Sequence, residues 1–252
     1  MVHFVGAGPG GADLITIRGA KLLGEADQII YAGSLVNPEL LQYAKKGCKI
    51  LNSARMTLEE VIEAVLEAES RQQTTVRLHT GDPCLYGAIR EQMDCLLEHG
   101  IPYDVVPGVS SFCGAAAALG AEYTLPGVSQ TVIITREEGR TPVPEAENIR
   151  ALAAHGATMV VFLSTGLLEK LQSNLIAGGY AEDTPAAIVY KATWPEERKV
   201  LCTVSTLAKT AKEYDITKTA LILVGNFLAQ DYERSKLYDP TFTTEFRQGV
   251  SQ

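Results

Sequence analysis

The sequence contains little that points to a metal site or a disulfide framework. Its five cysteines include no C-x-x-C pair, and its four histidines include no H-x-x-x-H spacing. An odd number of cysteines, several of them in apolar runs, is typical of reduced thiols in a cytoplasmic protein. The spacing argues against a metal held by the protein, so we expect none.

The 252 residues also argue against a membrane-spanning, a secreted and a nucleic-acid-binding protein. The chain has no apolar run of about 18 residues, which argues against a membrane span. Its N-terminus has no basic segment followed by a long apolar one, so we expect no signal peptide. The net charge of −8 argues against broad nucleic-acid binding, although it leaves room for an anionic small molecule.

Short apolar runs alternate with helical patterns along the chain, which predicts α/β architecture. Ten strands are predicted: Val2–Val5, Gln28–Tyr31, Lys49–Leu51, Thr75–His79, Asp104–Val106, Thr131–Thr135, Met159–Leu163, Ala186–Tyr190, Lys199–Thr203 and Ala220–Val224. Between them helices are predicted, including Leu14–Leu23, Pro38–Ala44, Leu58–Ala68 and Tyr86–His99.

The elements divide into two series of five strands. We therefore predict an N-terminal α/β domain over 1–118, a C-terminal α/β domain over 119–240 and a flexible tail over 241–252. Each domain is expected to be an αβα unit with a mostly five-stranded sheet. Parallel strands bind ligands at their carboxyl ends, so we expect the active site in the cleft between the domains.

The first strand runs into "GAGPGG", which contains the G-x-G-x-x-G spacing of a dinucleotide-binding turn at Gly6, Gly8 and Gly11. Two features disagree with that interpretation. The next helix begins late, and the second strand ends in "IIYAGS" without the acid that would bind a ribose. Three hypotheses remain: a nicotinamide or flavin enzyme, glycines that only turn the chain, or a loop that approaches another ligand.

Two further motifs follow strands, "HTGDP" and "VPGVSS". Gly81 permits close backbone approach, while Asp82 and Pro83 are suited to cap and begin a helix. His79 ends its strand, and we expect it to make a local hydrogen bond rather than to do chemistry. No G-x-S-x-G nucleophile elbow occurs, so we predict no catalytic triad.

The motifs "VGAGPGGADLITIRGAKLLGEADQIIY", "RLHTGDPCLYG", "VPGVSSFCGAAA" and "TALILVGN" together resemble the ordered signatures of the tetrapyrrole methylases. The resemblance covers nearly the whole chain and implies a class III S-adenosylmethionine methyltransferase with two α/β domains. It places S-adenosylmethionine at Pro9, Thr80, Gly81, Asp82, Leu85, Ser110, Ser111, Leu163, Ala187 and Ala220.

Within the family, "ITREEGRTPVPEAE", "YAGSLVNPELL" and "YKATWPEERKV" are similar to the enzymes that methylate carbon 11 of precorrin-4 or cobalt-precorrin-4 in cobalamin biosynthesis. The branch that methylates uroporphyrinogen III has G-G-D-P where this chain has Thr80-Gly81-Asp82-Pro83. Besides a methyltransferase and a nicotinamide oxidoreductase, a protein that binds a tetrapyrrole without catalysing a reaction is a third alternative. The resemblance also implies a homodimer, with cobalt only in the substrate.

The implied substrate carries many carboxylates, which arginines bind bidentately. The candidates for substrate contact are Arg136, Arg140, Arg55 and Lys191, each of which could also be a solvated surface charge. Methyl transfer to an enamine-like carbon needs positioning more than acid–base chemistry. Asp82, Tyr86 and Glu91 are therefore only weak catalytic candidates.

Overall fold

The computed structural model describes residues 1–229 and 231–250. They form two compact units: unit 1 comprises Met1–Ala115 with Lys191–Glu197, and unit 2 comprises Ala116–Tyr190 with Arg198–Gln252. Across the part of the chain that is described, no helix is both long and apolar enough to cross a membrane.

Unit 1 contains a five-stranded sheet in which all neighbours are parallel. The strands are β1 (Val2–Gly6), β2 (Gln28–Tyr31), β3 (Lys49–Asn52), β4 (Thr75–His79) and β5 (Tyr103–Val106), in the order β3-β2-β4-β1-β5. Strand β1 therefore lies between β4 and β5, so the loops that follow these three strands leave the same edge side by side.

Each face of the first sheet has its own core, because successive side chains of a strand point to opposite faces. The helices of this unit are α1 (Ile17–Glu25), α2 (Leu58–Ser70), α3 (Arg90–Glu98) and the start of α4 (Ser111–Leu119). Val5 belongs to the core that contains Leu23 of α1, whereas Phe4 belongs to the core that contains Val65 of α2 and Leu96 of α3.

Helix α2 begins where the sequence places its start. The Thr57 side chain accepts a hydrogen bond from the backbone N–H of Glu60, and the Glu60 carboxylate accepts one from the N–H of Thr57. This reciprocal capping box satisfies two N–H groups that the first turn would otherwise leave without partners.

Unit 2 contains a mixed five-stranded sheet. Its strands are β6 (Val132–Arg136), β7 (Thr158–Phe162), β8 (Pro185–Tyr190), β9 (Arg198–Thr203) and β10 (Ala220–Val224), in the order β6-β7-β10-β8-β9. Only β6 and β7 pair in parallel, because β10 runs antiparallel to β7 and β8, and β9 runs antiparallel to β8. Helices α5 (Ile149–Ala153), α6 (Leu168–Ala177) and α7 (Leu207–Glu213) contribute to one core with this sheet.

All ten predicted strands are present, but several predicted helices are wrong in type or start. The predicted helix Pro38–Ala44 is a 3-10 helix over Pro38–Tyr43, and α1 begins at Ile17 rather than Leu14. The predicted helix Tyr86–His99 begins only at Arg90. Tyr86 and Ala88 have φ values of 55° and 49°, which no right-handed helix accommodates.

Candidate active site

Three glycine-containing loops converge at the carboxyl ends of β4, β1 and β5. A Cβ atom on Gly6 would lie 2.5 Å from the Cα of Gly108 and 2.7 Å from the carbonyl oxygen of Gly81. A Cβ atom on Gly108 would lie 2.2 Å from that same oxygen. Any side chain at Gly6 or Gly108 would separate the loops, so these glycines serve close backbone packing.

Backbone hydrogen bonds join the first two loops. The Gly81 N–H donates to the Gly8 carbonyl at 2.8 Å, and the Gly8 N–H donates to the Gly81 carbonyl at 3.2 Å. Both residues have positive φ, 79° for Gly8 and 59° for Gly81, which only glycine adopts at little cost. The glycine spacing therefore builds a two-stranded bridge between loops. Only a 3-10 helix, Ala12–Leu14, begins at this turn, and α1 begins at Ile17.

Asp82 ties the second loop to the third. Its Oδ1 accepts from the Cys84 N–H at 2.8 Å, and its Oδ2 accepts from the Gly108 N–H at 2.9 Å. Burial raises the pKa of Asp82, but the bonds from Cys84 and Gly108 outweigh it and hold the pKa below its usual range. The prediction that Asp82 caps a helix with Pro83 at its first position is wrong, because residues 83–86 form turns.

The segment Lys191–Glu197 of unit 1 holds the first loop from another side. Thr193 accepts from the Gly11 N–H at 2.9 Å, and the Trp194 indole N–H donates to the Pro9 carbonyl at 3.2 Å. A Cβ atom on Gly10 would lie 2.0 Å from the Trp194 ring. The sequence-based predictions did not include this contact. Its available signal was the lone Trp of the chain, four residues after a predicted strand and beside a proline.

The other unit 1 residues assigned to the cofactor lie on the same three loops. Pro9 is buried, and Thr80 donates its hydroxyl hydrogen to the Leu35 carbonyl at 3.3 Å. Leu85 is half-buried in the turn after Asp82. Ser110 is buried just before α4, whose first residue is Ser111. The positive end of the helix dipole at such a helix start favours a negatively charged group.

In unit 2, the mixed sheet brings several assigned residues to one edge. The register pairs Arg136 with Phe162, so the end of β6 lies beside the end of β7, where Leu163 follows. Ala220 begins β10 opposite Tyr190, the last residue of β8. Leu163 is 62% exposed and has a φ of 54°, a strained conformation for a branched residue.

Ala187 does not lie at this edge. It pairs with Leu223 on one side and Leu201 on the other, in the interior of the sheet, and it is fully buried. The sequence places it at a strand start, but β8 begins two residues earlier, at Pro185.

The four candidates for substrate contact differ in their surroundings. The Arg136 guanidinium donates to the carbonyls of Thr141 and Pro142, and so holds its own loop. Lys191 pairs with Glu196 at 3.4 Å and lies over the Trp194 ring. Arg140 is exposed on the loop after β6, and Arg55 is exposed in the 3-10 helix after β3. Arg140 and Arg55 are thus the more accessible cations.

The weak catalytic candidates Tyr86 and Glu91 line a cavity of about 260 Å³ in unit 1, together with His79. The expectation that His79 satisfies a local hydrogen bond is wrong for one of its nitrogens. Nε2 is buried and has no partner among the residues described. Burial and the neighbouring charge of Arg77 lower the pKa of His79 to about 3, so the ring is neutral at pH 7.

The residues assigned to S-adenosylmethionine fit the chemistry of that molecule. A Cβ atom on Gly81 would lie 3.4 Å from the backbone of Ser110 and Ser111, so these two loops run side by side. They offer backbone donors and acceptors for polar groups and a helix start for a carboxylate. In unit 2, the exposed side chain of Leu163 forms an apolar surface at the end of β7.

Comparisons with known proteins show what the chain is similar to. The family model described as Tetrapyrrole (Corrin/Porphyrin) Methylases matches residues 1–208. A cobalt-precorrin-4 C(11)-methyltransferase of Methanocaldococcus jannaschii is 53% identical over 247 residues, which cover 98% of this chain and 95% of that protein.

Two solved structures share the fold. The X-ray structure of a cobalamin biosynthetic enzyme, cobalt precorrin-4 methyltransferase, superposes with a TM-score of 0.88 at 48% identity, covering 90% of this chain and 95% of the other. A uroporphyrin-III C-methyl transferase from Thermus thermophilus, complexed with S-adenyl homocysteine, gives a TM-score of 0.73 at 27% identity, with coverages of 92% and 95%.

Proposed function

Because the chain belongs to the tetrapyrrole (corrin/porphyrin) methylase family, we propose that it methylates carbon 11 of precorrin-4 or cobalt-precorrin-4, with S-adenosylmethionine as the methyl donor. The product is the corresponding precorrin-5 of cobalamin biosynthesis. The observation that carries this proposal is the 53% identity over nearly the full length of both chains with a cobalt-precorrin-4 C(11)-methyltransferase.

When bound, S-adenosylmethionine supplies a methyl group activated by a sulfonium. The chain supplies positioning. Asp82 and the Gly8–Gly81 bridge fix the three loops of unit 1 relative to one another, and Trp194 fixes the first loop at Pro9. Both oxygens of Asp82 accept backbone hydrogen bonds, which suits a structural carboxylate rather than a proton carrier.

The methyl acceptor is an anionic macrocycle, and exposed cations are its natural contacts. We assign first contact to Arg140 and Arg55, because Arg136 and Lys191 already bind partners of their own chain. Arg136 then acts by holding the loop that presents Arg140.

A turnover assay tests the proposal. The protein is incubated with methyl-labelled S-adenosylmethionine and with either cobalt-precorrin-4 or its metal-free form, and the product is analysed by mass spectrometry and carbon NMR. We expect one added methyl group at carbon 11. Transfer to a different carbon, or no transfer to either substrate, would contradict the proposal.

The alternative substrate is uroporphyrinogen III, since a transferase named for it shares the fold at 27% identity. The same assay with uroporphyrinogen III discriminates the two. A nicotinamide oxidoreductase has less support, because no α-helix begins at the glycine turn and β2 ends in Tyr31 without an acid.

We also infer a cytoplasmic homodimer without a metal of its own, so that cobalt enters only with the substrate. Five unpaired cysteines support a reducing compartment. Within residues 1–229 and 231–250, no group of three or more His, Cys, Asp or Glu side chains is placed to hold a metal ion. Sedimentation analysis measures the oligomeric state.

A further inference from the structure

The cavity beside β4 adjoins the residues assigned to the cofactor, because Thr80 and Leu85 line it, and it has further polar groups that the proposed methyl transfer does not use. It lies on the α2 and α3 side of the first sheet, and its volume of about 260 Å³ far exceeds the roughly 10–15 Å³ that one water needs. The titratable side chains that line it are Arg77, His79, Tyr86 and Glu91. Gln92 of α3 lines it as well.

Arg77 is a buried cation without a counter-charge. It is 7% exposed; its Nε donates to the Gln92 amide oxygen at 2.9 Å, and its Nη1 donates to the Ile30 carbonyl at 3.1 Å. Both acceptors are neutral. Among the described residues, no carboxylate lies within 4.0 Å of the guanidinium. Burial lowers the pKa of Arg77 to about 10, and a buried charge is costly unless it is paired.

His79 points to the same face of the sheet, because it follows Arg77 by two residues in β4. It is 4% exposed, and its Nε2 is the buried side-chain atom that has no hydrogen-bond partner in the described part of the chain. A buried polar atom without a hydrogen-bond partner destabilises the folded state. A neutral imidazole with its hydrogen on Nε2 would be a hydrogen-bond donor without an acceptor in the described part of the chain.

We propose that this cavity is a subsite for one carboxylate, which accepts a hydrogen bond from His79 Nε2 and supplies the counter-charge of Arg77. A bound carboxylate would give His79 Nε2 an acceptor and the Arg77 guanidinium a counter-charge at once. Glu91 also lines the cavity, and its negative charge would repel a bound carboxylate. Its side chain is exposed, so the solvent weakens this repulsion. The identity of the carboxylate as an acid side chain of the macrocycle rests on the proposed function.

The first experiment probes the free subsite with a small acid. Protein labelled with ¹⁵N-histidine is titrated with sodium propionate, with sodium chloride at equal ionic strength as the reference. We expect the Nε2 resonance of His79 to move and saturate with propionate alone. No movement, or equal movement with chloride, would overturn the proposal. This titration does not depend on enzyme activity.

The second experiment identifies the source of the carboxylate. His79→Phe removes the donor and keeps an aromatic ring, whereas Arg77→Lys keeps the charge and loses the planar fork. We expect each to raise KM for the macrocycle roughly tenfold or more, because each removes a charge-assisted hydrogen bond, with the Kd of S-adenosylhomocysteine unchanged. His99→Phe and Arg71→Lys are matched controls on exposed residues.

The outcomes separate the two proposals. If the wild-type protein transfers no methyl group but propionate shifts His79, the proposed function fails and the carboxylate subsite stands. If methyl transfer proceeds and KM is unchanged in both variants, the macrocycle is not the ligand and the assignment is overturned. Should His79→Phe not fold, the propionate titration of the wild type and the kinetics of Arg77→Lys still decide.

Discussion

Individual residues in the glycine loops are constrained by neighbouring backbone as much as by any ligand. Gly6 and Gly108 have no room for a Cβ atom, because the loops after β1, β4 and β5 touch there. Gly10 is constrained differently, since it faces the indole of Trp194. Asp82 works through both carboxylate oxygens, each of which accepts a backbone hydrogen bond.

Gly10→Ala should displace Trp194, because the new methyl group would lie 2.0 Å from the indole ring. Overpacking of this kind costs about 1–3 kcal/mol, and we expect the affinity for S-adenosylhomocysteine to fall with it. Thermal unfolding and calorimetric titration measure the two effects. Gly166→Ala is the matched control, since no atom lies within 4 Å of its Cβ position. Equal stability and equal affinity in the two variants would contradict the role of Trp194 in holding this loop.

Asp82→Asn should destabilise the protein by about 1–2 kcal/mol at neutral pH, because the amide nitrogen cannot accept one of the two backbone hydrogen bonds. The pKa of Asp82 is lowered by folding, so its stabilisation is present above its usual value of 3.8 and is lost as pH falls through the folded value. Denaturant unfolding between pH 7 and pH 3 checks the sign: the difference between wild type and variant should shrink in acid. Asp94→Asn, in an exposed pair with Arg90, is the control.

At the scale of elements, the strands agree with the local sequence pattern more closely than the starts of the helices do. All ten strands could be predicted, because buried strands are apolar runs that turn residues interrupt. The late start of α3 could not be predicted from the sequence. It results from the positive φ of Tyr86 and Ala88, on either side of a Gly87 that packs closely against Pro83. The Trp194 clamp could not be predicted either, because it joins residues 185 apart in sequence.

Some features of the candidate site could likewise be predicted from the sequence, and others could not. Three motifs that follow strands identify the loops that converge in unit 1, since adjacent parallel strands end at one edge. The sequence places Ala187 in a predicted strand, but the strands that pair with it on both sides depend on the register of the sheet. That Arg136 binds its own loop depends on the direction of its side chain. The orphaned Nε2 of His79 depends on what surrounds it in three dimensions.

Leu163→Gly should cost little stability, because glycine relieves the strain of a φ of 54° at an exposed position. The affinity for S-adenosylhomocysteine should fall roughly five- to tenfold, as expected from the loss of one apolar contact. Asp215→Gly relieves a similar φ of 50° after α7 and serves as the control. Unchanged affinity in Leu163→Gly would remove this residue from the cofactor site.

At the scale of the whole molecule, a ligand that binds only the folded state raises its stability. S-adenosylhomocysteine at 100 times its Kd should add about 2.7 kcal/mol, which corresponds to a rise in Tm of about 5–10 °C for a chain of this size. Differential scanning fluorimetry measures the shift. NADH at the same concentration should produce none, and a larger shift with NADH would favour the oxidoreductase alternative.

The discontinuity of unit 1 has a consequence for how the chain folds during synthesis. The Pro9 carbonyl receives its hydrogen bond from Trp194, which leaves the ribosome 185 residues later. At about 5–20 residues per second, the glycine loop waits on the order of 10–40 s for its clamp. The first turn to be synthesised is therefore among the last to be completed, and a nascent chain that ends before residue 191 carries every glycine of that loop without the segment that holds it.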